Sequence, residues 1–355
     1  MKVPRFISSL FDAFSTDIGI DLGTANTLVY VRGKGIVLNE PTIVALNRKT
    51  GQLVAIGNDA KMMLGRTPSH IEVVRPLVQG VISDFEVTEE MLAYLIGKVR
   101  NTMRTVIAPR VLIGVPSGIT SVEMRAARDA AKNAGARDVF LVEEPIAAAV
   151  GAKLPIHKPQ GSMIIDIGGG TTDIAVISLG GIVTSKNLRV AGDQLNTDIV
   201  SYIRDQFKVL IGDKTAEDTK IALASVEEST DAKEVIVRGR DVVTGLPREV
   251  VITDGDIREA ILGSVNAIVE ATRDVIERTP PEVLADVMQR GITLAGGGAL
   301  IPGFPKLLES VLKIPVHVVP DPLRAVIRGI GTILEQLDTY EELLTNDEDG
   351  FTAQL

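Results

Sequence analysis

Residues 18–30 read IGIDLGTANTLVY and residues 163–177 read MIIDIGGGTTDIAVI, and the two stretches share one grammar. Each runs through apolar residues to an Asp, then an apolar residue, a Gly, small or hydroxyl residues and a second alternating apolar run. Asp21 aligns with Asp166, Gly23 with Gly168 and Thr24 with Gly169. Apolar runs flanking a short turn of small residues predict a β-hairpin in each copy. Each turn pairs a carboxylate with backbone N–H groups that little side chain obscures. Two such turns facing one another across a cleft would grip a polyphosphate, with a hard divalent cation offsetting the charge of Asp21 and Asp166. Strands and helices alternate after each copy, so the duplication predicts an α/β fold of two similar halves around that cleft.

Working outward from the first hairpin, short strands between Pro41, Gly51 and Pro68 suggest a small insertion at about 34–76 in a first half spanning 1–153. Residues 88–100 carry helical periodicity, and RVLIGVP (110–116) reads as a buried strand. Thr120 and Glu123 form a capping box for a helix closed at Gly135. The Pro-containing LPIHKPQG (154–161) marks a boundary. The second half, 154–335, repeats the plan with a larger insertion at about 191–253, a helical stretch at 254–278 and a final helix from near Pro322. A C-terminal helix at about 336–345 is expected to pack back on the first half, with an acidic, disordered tail at 346–355.

The chain has 355 residues, enough for two cores, with 45% apolar and 23% charged residues, as in ordinary soluble proteins. A net charge of −9 argues against a general nucleic-acid binder. With no cysteine, disulfides and thiolate metal sites are excluded. No apolar stretch is long enough to span a bilayer, and a cytoplasmic location is expected. At the N-terminus, however, a helical wheel places Phe6, Ile7, Leu10, Phe11 and Phe14 on one face, with Ser8, Ser9, Asp12 and Ser15 opposite. Three of the eight Phe fall there, beside Lys2 and Arg5. That pattern predicts a helix lying in a membrane interface; a short helix packed on its own domain is the plainer alternative. One copy of so short a helix binds weakly, whereas many copies on a rigid array bind tightly, so such an anchor suits a protein that polymerises.

In DLGTANT (21–27), Gly23 allows a tight turn, and Thr24, Ala25 and Asn26 are small enough for their N–H groups to approach phosphate oxygens. In DIGGGTTD (166–173), Gly168, Gly169 and Gly170 are costly in backbone entropy and are expected where a ligand approaches the backbone, with Thr171 and Thr172 beside them. A third stretch, LAGGGALIPGF (294–304), sets Gly296, Gly297, Gly298 and Ala299 between a strand and a helix, suited to an α-phosphate or ribose. Pro145 suits a first helical position, which would make Glu144 the N-cap, held ionised by the helix dipole and suited to orienting a water. Asp21 and Asp166 would hold Mg²⁺ through its waters.

Together these motifs, with IGVP (113–116), FLVEEPIAAA (140–149) and RGITLAGGGAL (290–300), resemble the actin/DnaK/sugar-kinase ATPase superfamily and, within it, the bacterial actins of the MreB type. The resemblance covers nearly the whole chain. It implies duplicated actin-like (ribonuclease H-like) domains, ATP and Mg²⁺ in the cleft, slow hydrolysis linked to polymerisation, and filaments on the inner face of the cytoplasmic membrane that organise cell-wall synthesis and rod shape. By position it makes Glu144 and Thr171 the residues that hold the attacking water, with Asp166 at the metal. It places Val106 and Ile107 in a membrane-touching loop and the purine pocket around Glu217 and Lys220, where Ala222 replaces an acidic residue of some relatives. RodZ, MreC/MreD and wall-synthesis enzymes are the partners it implies. A small-molecule kinase of the same fold would need its own substrate pocket and base, and a DnaK-type chaperone would need a peptide-binding domain after residue 340. A DNA-segregating actin is disfavoured by the amphipathic N-terminus.

Overall fold

The computed structural model of the chain describes residues 16–104, 107–228 and 232–344. It divides into two compact units, Met1–Ile156 with Arg324–Leu355, and His157–Leu323.

In the first unit β1 (Ile18–Leu22) and β2 (Asn26–Val31) form the expected hairpin, and β3 (Gly35–Pro41) extends it. A separate three-stranded sheet follows, made of β4 (Val44–Asn47), β5 (Leu53–Ile56) and β6 (Ile71–Val74), with helix α1 (Asn58–Met63) between the last two. Next come a two-stranded ribbon of β7 (Leu77–Val78) and β8 (Val81–Ile82), helix α2 (Phe85–Met103), strand β9 (Arg110–Val115), helix α3 (Ser121–Asn133), strand β10 (Asp138–Glu143) and helix α4 (Glu144–Gly151). The main sheet has the order β10-β9-β1-β2-β3, antiparallel through the β1–β2–β3 meander and parallel from β1 through β9 to β10. Ile18, Ile20, Val111, Leu112, Ile113 and Leu141 are fully buried, as strands covered on both faces require.

Helix α2 starts where the Asp84 carboxylate accepts the Val87 N–H (3.1 Å) and buries Val87, Met91, Leu92, Leu95, Ile96 and Val99, a stripe at helical spacing. Helix α3 has the expected capping box: the Thr120 hydroxyl accepts the Glu123 N–H (3.2 Å) and the Glu123 carboxylate accepts the Thr120 N–H (2.7 Å). Gly135 ends that segment with φ 100°. At the start of β1 the buried Asp17 carboxylate is held by Arg110 (3.0 and 2.6 Å) and Arg32 (3.2 Å), so the buried charge is paired.

The insertion does not begin at 34, because β3 pairs with β2 from Asn26↔Pro41 to Val31↔Gly35 and belongs to the main sheet. Gly33 (φ 72°) and Gly35 (φ 82°) reverse the chain tightly enough to lay GIVLNEP back along β2.

The second unit repeats this plan. Its strands β11 (Ser162–Ile167), β12 (Thr172–Ser178) and β13 (Gly181–Leu188) make an antiparallel meander. Helix α5 (Gly192–Tyr202) runs into a π-helical turn (Ile203–Phe207); then come β14 (Val209–Leu210), α6 (Asp213–Leu223), β15 (Glu234–Asp241) and β16 (Pro247–Thr253). The last three strands form a small sheet of order β14-β15-β16. Helices α7 (Asp254–Arg278) and α8 (Pro281–Arg290), strand β17 (Ile292–Ala295), helix α9 (Phe304–Leu312) and strand β18 (Val316–Val318) follow. The main sheet, β13-β12-β11-β17-β18, has the topology of the first, with β17 parallel to β11 and β18 parallel to β17. The hairpins agree to the residue. Leu22 pairs with Thr27 as Ile167 pairs with Thr172, and Asp21 and Asp166 lie beside Gly114 and Ala295 of the parallel neighbour.

The chain returns to the first unit not at about 336, as expected, but at Arg324. After a 3₁₀ turn at Pro322–Arg324, helix α10 (Ala325–Glu335) packs on α4 in the first unit; α11 (Leu337–Tyr340) follows it. The cause is backbone contact between α4 and α10. A Cβ at Gly329 would overlap the Ala147 carbonyl, and one at Gly151 would overlap the Ala325 carbonyl. Ile330 occupies the space that Gly19 leaves, and the ring of Tyr30 the space that Gly331 leaves. Among the described residues no helix is long and apolar enough to cross a membrane.

Candidate functional site

Each unit carries a cluster of the residues singled out above at the carboxyl ends of its central strands. In the first unit Asp21, near the end of β1, lies beside Gly114 of β9. A Cβ on Gly114 would stand 3.5 Å from Glu144 Cγ, so this glycine admits the Glu144 side chain over the sheet end next to Asp21. Asp21 is half-buried, and burial pushes its carboxyl up to about 7. Glu144 is not the N-cap. Strand β10 runs to Glu143, whose extended backbone (φ −68°, ψ 132°) caps α4, so Glu144 and Pro145 are the first two helical residues. Glu144 is buried and still within the first turn, where the helix dipole favours a carboxylate.

The first turn, Gly23 to Asn26, is held through its carbonyls. The Thr42 hydroxyl donates to Gly23 O (2.6 Å) and the Thr42 N–H to Ala25 O (3.0 Å), while the Thr27 and Thr42 hydroxyls meet at 2.9 Å. Thr24 is buried, and its hydroxyl accepts the Gly80 N–H (3.0 Å) from the tip of the β7–β8 ribbon. Ala25 and Asn26 are exposed.

The second turn, Gly168 to Thr171, is also held by carbonyls. Gly168 O accepts the Gly192 N–H (3.2 Å) and Gly169 O the Asp193 N–H (2.8 Å), both from the start of α5, while the Gly168 N–H donates to Thr171 O (2.9 Å). The Gly168 N–H is therefore committed within the turn. Thr172 is fully buried and its hydroxyl donates to Val190 O (2.7 Å), so its side chain serves the fold. Thr171 and Asp166 are buried at the turn and at the end of β11. Lys220 of α6 donates to Gly192 O (2.8 Å), so α6 is tied to the helix start that grips the second turn. Glu217 lies one turn before Lys220, whereas Ala222 is exposed and about 140° around the helix from Glu217. Ala222 therefore lies off the Glu217–Lys220 face.

The third glycine stretch packs closely against the end of β11. Gly296 takes φ 77°, and a Cβ there would stand 2.5 Å from Asp166 Oδ1 and overlap Ile167 O; a Cβ at Gly298 would overlap Ile167 Cγ2. Packing against the end of β11 requires two of these three glycines before any ligand is considered. Gly297 and Ala299 follow in a 3₁₀ turn (Gly297–Leu300) that precedes α9, so the strand leads into a single tight turn first.

The structure brings Asp21, Gly23–Asn26 and Glu144 together in the first unit, and Asp166, Gly168–Thr172, Lys220 and Gly296 together in the second. Glu144 and its expected partners Thr171 and Asp166 belong to different units. Phe6, Ile7, Leu10, Phe11, Phe14 and Val106 lie outside the described residues, and Ile107 is half-buried. Three participants escaped the sequence reading: Thr42, Gly80, and the Gly192–Asp193 helix start. The signal for Thr42 is a hydroxyl between Pro41 and the apolar run IVAL; for Gly80, the Gln79-Gly80 pair of a tight turn, both with positive φ.

The family model described as "MreB/Mbl protein" matches residues 15–342. The cell shape-determining protein Mbl of Bacillus cereus is 50% identical over 325 residues, covering 92% of this chain and 97% of that protein. The cell shape-determining protein MreB of Escherichia coli K12 is 47% identical over 339 residues, covering 94% and 98%. Among solved structures, MreB5 of Spiroplasma citri bound to ADP is 40% identical, covers 92% of this chain and 98% of its own, and superposes with a TM-score of 0.88. The same protein bound to AMPPNP gives 0.86.

Proposed function

Because the chain belongs to the MreB/Mbl protein family, we propose that it is a shape-determining bacterial actin that binds and slowly hydrolyses ATP as it assembles into filaments. The observation that carries this reading is the pair of hairpins matched in register on two sheets of one topology, each presenting a turn braced by its carbonyls. A nucleotide taking phosphate contacts from both turns would couple its chemical state to the two units. The ADP and AMPPNP complexes of MreB5 support nucleotide binding here.

In this reading the first turn offers the N–H groups of Thr24, Ala25 and Asn26, and the second those of Gly169, Gly170 and Thr171. Glu217 and Lys220 lie toward the adenosine, and Gly297, Gly298 and Ala299 toward the ribose or α-phosphate. Glu144 and Thr171 orient the attacking water. Asp21 and Asp166 fit a hard divalent cation such as Mg²⁺, held through its waters. Burial disfavours Asp21 as a bare anion, and a cation's charge would offset that cost. The cation would supply charge neutralisation at the phosphates. Hydrolysis is slow because assembly is the output.

The N-terminal face of Phe6, Ile7, Leu10, Phe11 and Phe14, with Val106 and Ile107, is assigned to an anionic membrane surface on the cytoplasmic side. There the filament would organise wall synthesis with RodZ, MreC/MreD and synthesis enzymes. Sedimentation of the purified chain with ATP or ADP, with and without anionic liposomes, tests the proposal. ATP-dependent pelleting, increased by liposomes, is expected; a chain that stays in the supernatant under all these conditions refutes it.

A further inference from the structure

In a trans peptide the N–H points opposite to the C=O of the same unit, and among the described residues every peptide is trans. The Gly23 carbonyl is turned onto the Thr42 hydroxyl and the Ala25 carbonyl onto the Thr42 N–H. The N–H groups sharing those two peptide units, of Thr24 and Asn26, therefore face away from Thr42. One residue fixes both planes. Its hydroxyl proton is committed to Gly23 O, so in the 2.9 Å contact between the two threonine hydroxyls Thr27 is the donor. Both threonines are fully buried, so water does not replace either bond. The aligned second turn is braced differently, since backbone N–H groups of Gly192 and Asp193 hold Gly168 O and Gly169 O. The N–H groups of Gly169 and Gly170 face away from the start of α5 in the same manner.

We infer that Thr42 is a positioning residue for anion binding in the first turn: it aims the Thr24 and Asn26 N–H groups at the phosphates of a nucleotide. The start of α5 performs this task for the second turn. This rests on the nucleotide reading above and adds to it a residue that touches no ligand. The Gly80 N–H complements it by occupying a lone pair of the Thr24 hydroxyl, which leaves that hydroxyl's proton to be donated. A consequence is asymmetry. A single side-chain change frees the Gly23–Thr24 half of the first turn, whereas both halves of the second are braced by backbone that no substitution deletes.

The test compares Thr42→Val, which keeps the shape and the N–H but removes the hydroxyl, with Thr42→Ser, which keeps both bonds. Calorimetric titration with Mg·ATP should show about tenfold or greater weakening in Thr42→Val, the size expected when a hydrogen bond to a charged group is lost. Thr42→Ser should stay within about threefold of the parent, and adenosine, which lacks phosphates, should bind all three alike. Should Thr42→Val not fold, the parent labelled with ¹⁵N at Thr and Asn decides: the Thr24 and Asn26 amide signals should move downfield on adding Mg·ATP. Parental Mg·ATP affinity in Thr42→Val, equal losses in the Ser and Val variants, or amide signals that stay still while the parent binds Mg·ATP would each overturn the inference. A parent that binds no Mg·ATP would instead remove the nucleotide reading, and the role of Thr42 with it.

Discussion

Adding one methyl group to Gly296 should disturb Asp166 more than any change at the loop's surface. Gly296 has φ 77° and ψ 174°, a backbone region essentially confined to glycine that costs an alanine about 1–3 kcal/mol. The new Cβ would stand 2.5 Å from Asp166 Oδ1 and overlap the Ile167 carbonyl, so either the loop or the end of β11 must move. Overpacking of this kind costs about 1–3 kcal/mol, giving about 2–6 kcal/mol in all. Restoring an ordinary contact shifts the Asp166 carboxylate by up to about 1 Å, and a displacement of that size at a working group can cost about a hundredfold in function. Denaturant unfolding of Gly296→Ala should show the stability loss, and Mg·ATP titration a weakened site. Gly297→Ala is the control for stability: its Cβ would stand 3.3 Å from Leu323 Cδ2, near ordinary contact, and its unfolding should lie within about 1 kcal/mol of the parent. Parental stability and Mg·ATP affinity in Gly296→Ala would refute the packing role assigned to that glycine.

Three further outcomes follow from the same geometry. Without metal or nucleotide, Asp21 titrates near 7 and not near 4; its protonated form is favoured in the folded state, so the parent should lose stability relative to Asp21→Asn as pH rises from about 4 through about 7, by at most about 4 kcal/mol, measured by unfolding at each pH. A difference that is flat over that range would contradict the burial argument. Glu144→Gln should slow phosphate release by about a hundredfold or more while ATP affinity changes little, as read by single-turnover assays; hydrolysis at the parental rate removes Glu144 from the mechanism. Gly329→Val should destabilise the first unit by at least about 3 kcal/mol, because its Cβ would overlap the Ala147 carbonyl across the α4–α10 contact, and a parental melting curve would contradict that packing.

Much of the fold was legible because local chemistry repeats where topology repeats. Asp21 and Asp166 could be aligned by eye, and the hairpin registers Leu22↔Thr27 and Ile167↔Thr172 follow that alignment. The Thr120–Glu123 capping box and the 254–278 helix were local signals, and both stand. What stayed hidden depends on contacts distant in sequence. The run GIVLNEP reads equally well as part of an insertion or as a third meander strand, and only pairing with β2 decides it. The return of α10 to the first unit hinges on Gly151 and Gly329, nearly 180 residues apart, meeting backbone to backbone. At Gly296 and Gly298 the hidden part is the close approach to Ile167, a contact about 130 residues distant in sequence. Thr42 escaped notice for a related reason: its role is to hold two carbonyls nineteen and seventeen residues upstream.

The proposed function stands on Mg·ATP binding that depends on both Asp21 and Asp166. Isothermal titration of the intact chain with Mg·ATP, beside Asp21→Ala and Asp166→Ala, measures it most directly. A one-to-one binding heat in the parent and a sharp loss of Mg·ATP affinity in each variant are expected. No heat in the parent, or undiminished affinity in both variants, would contradict the proposed function.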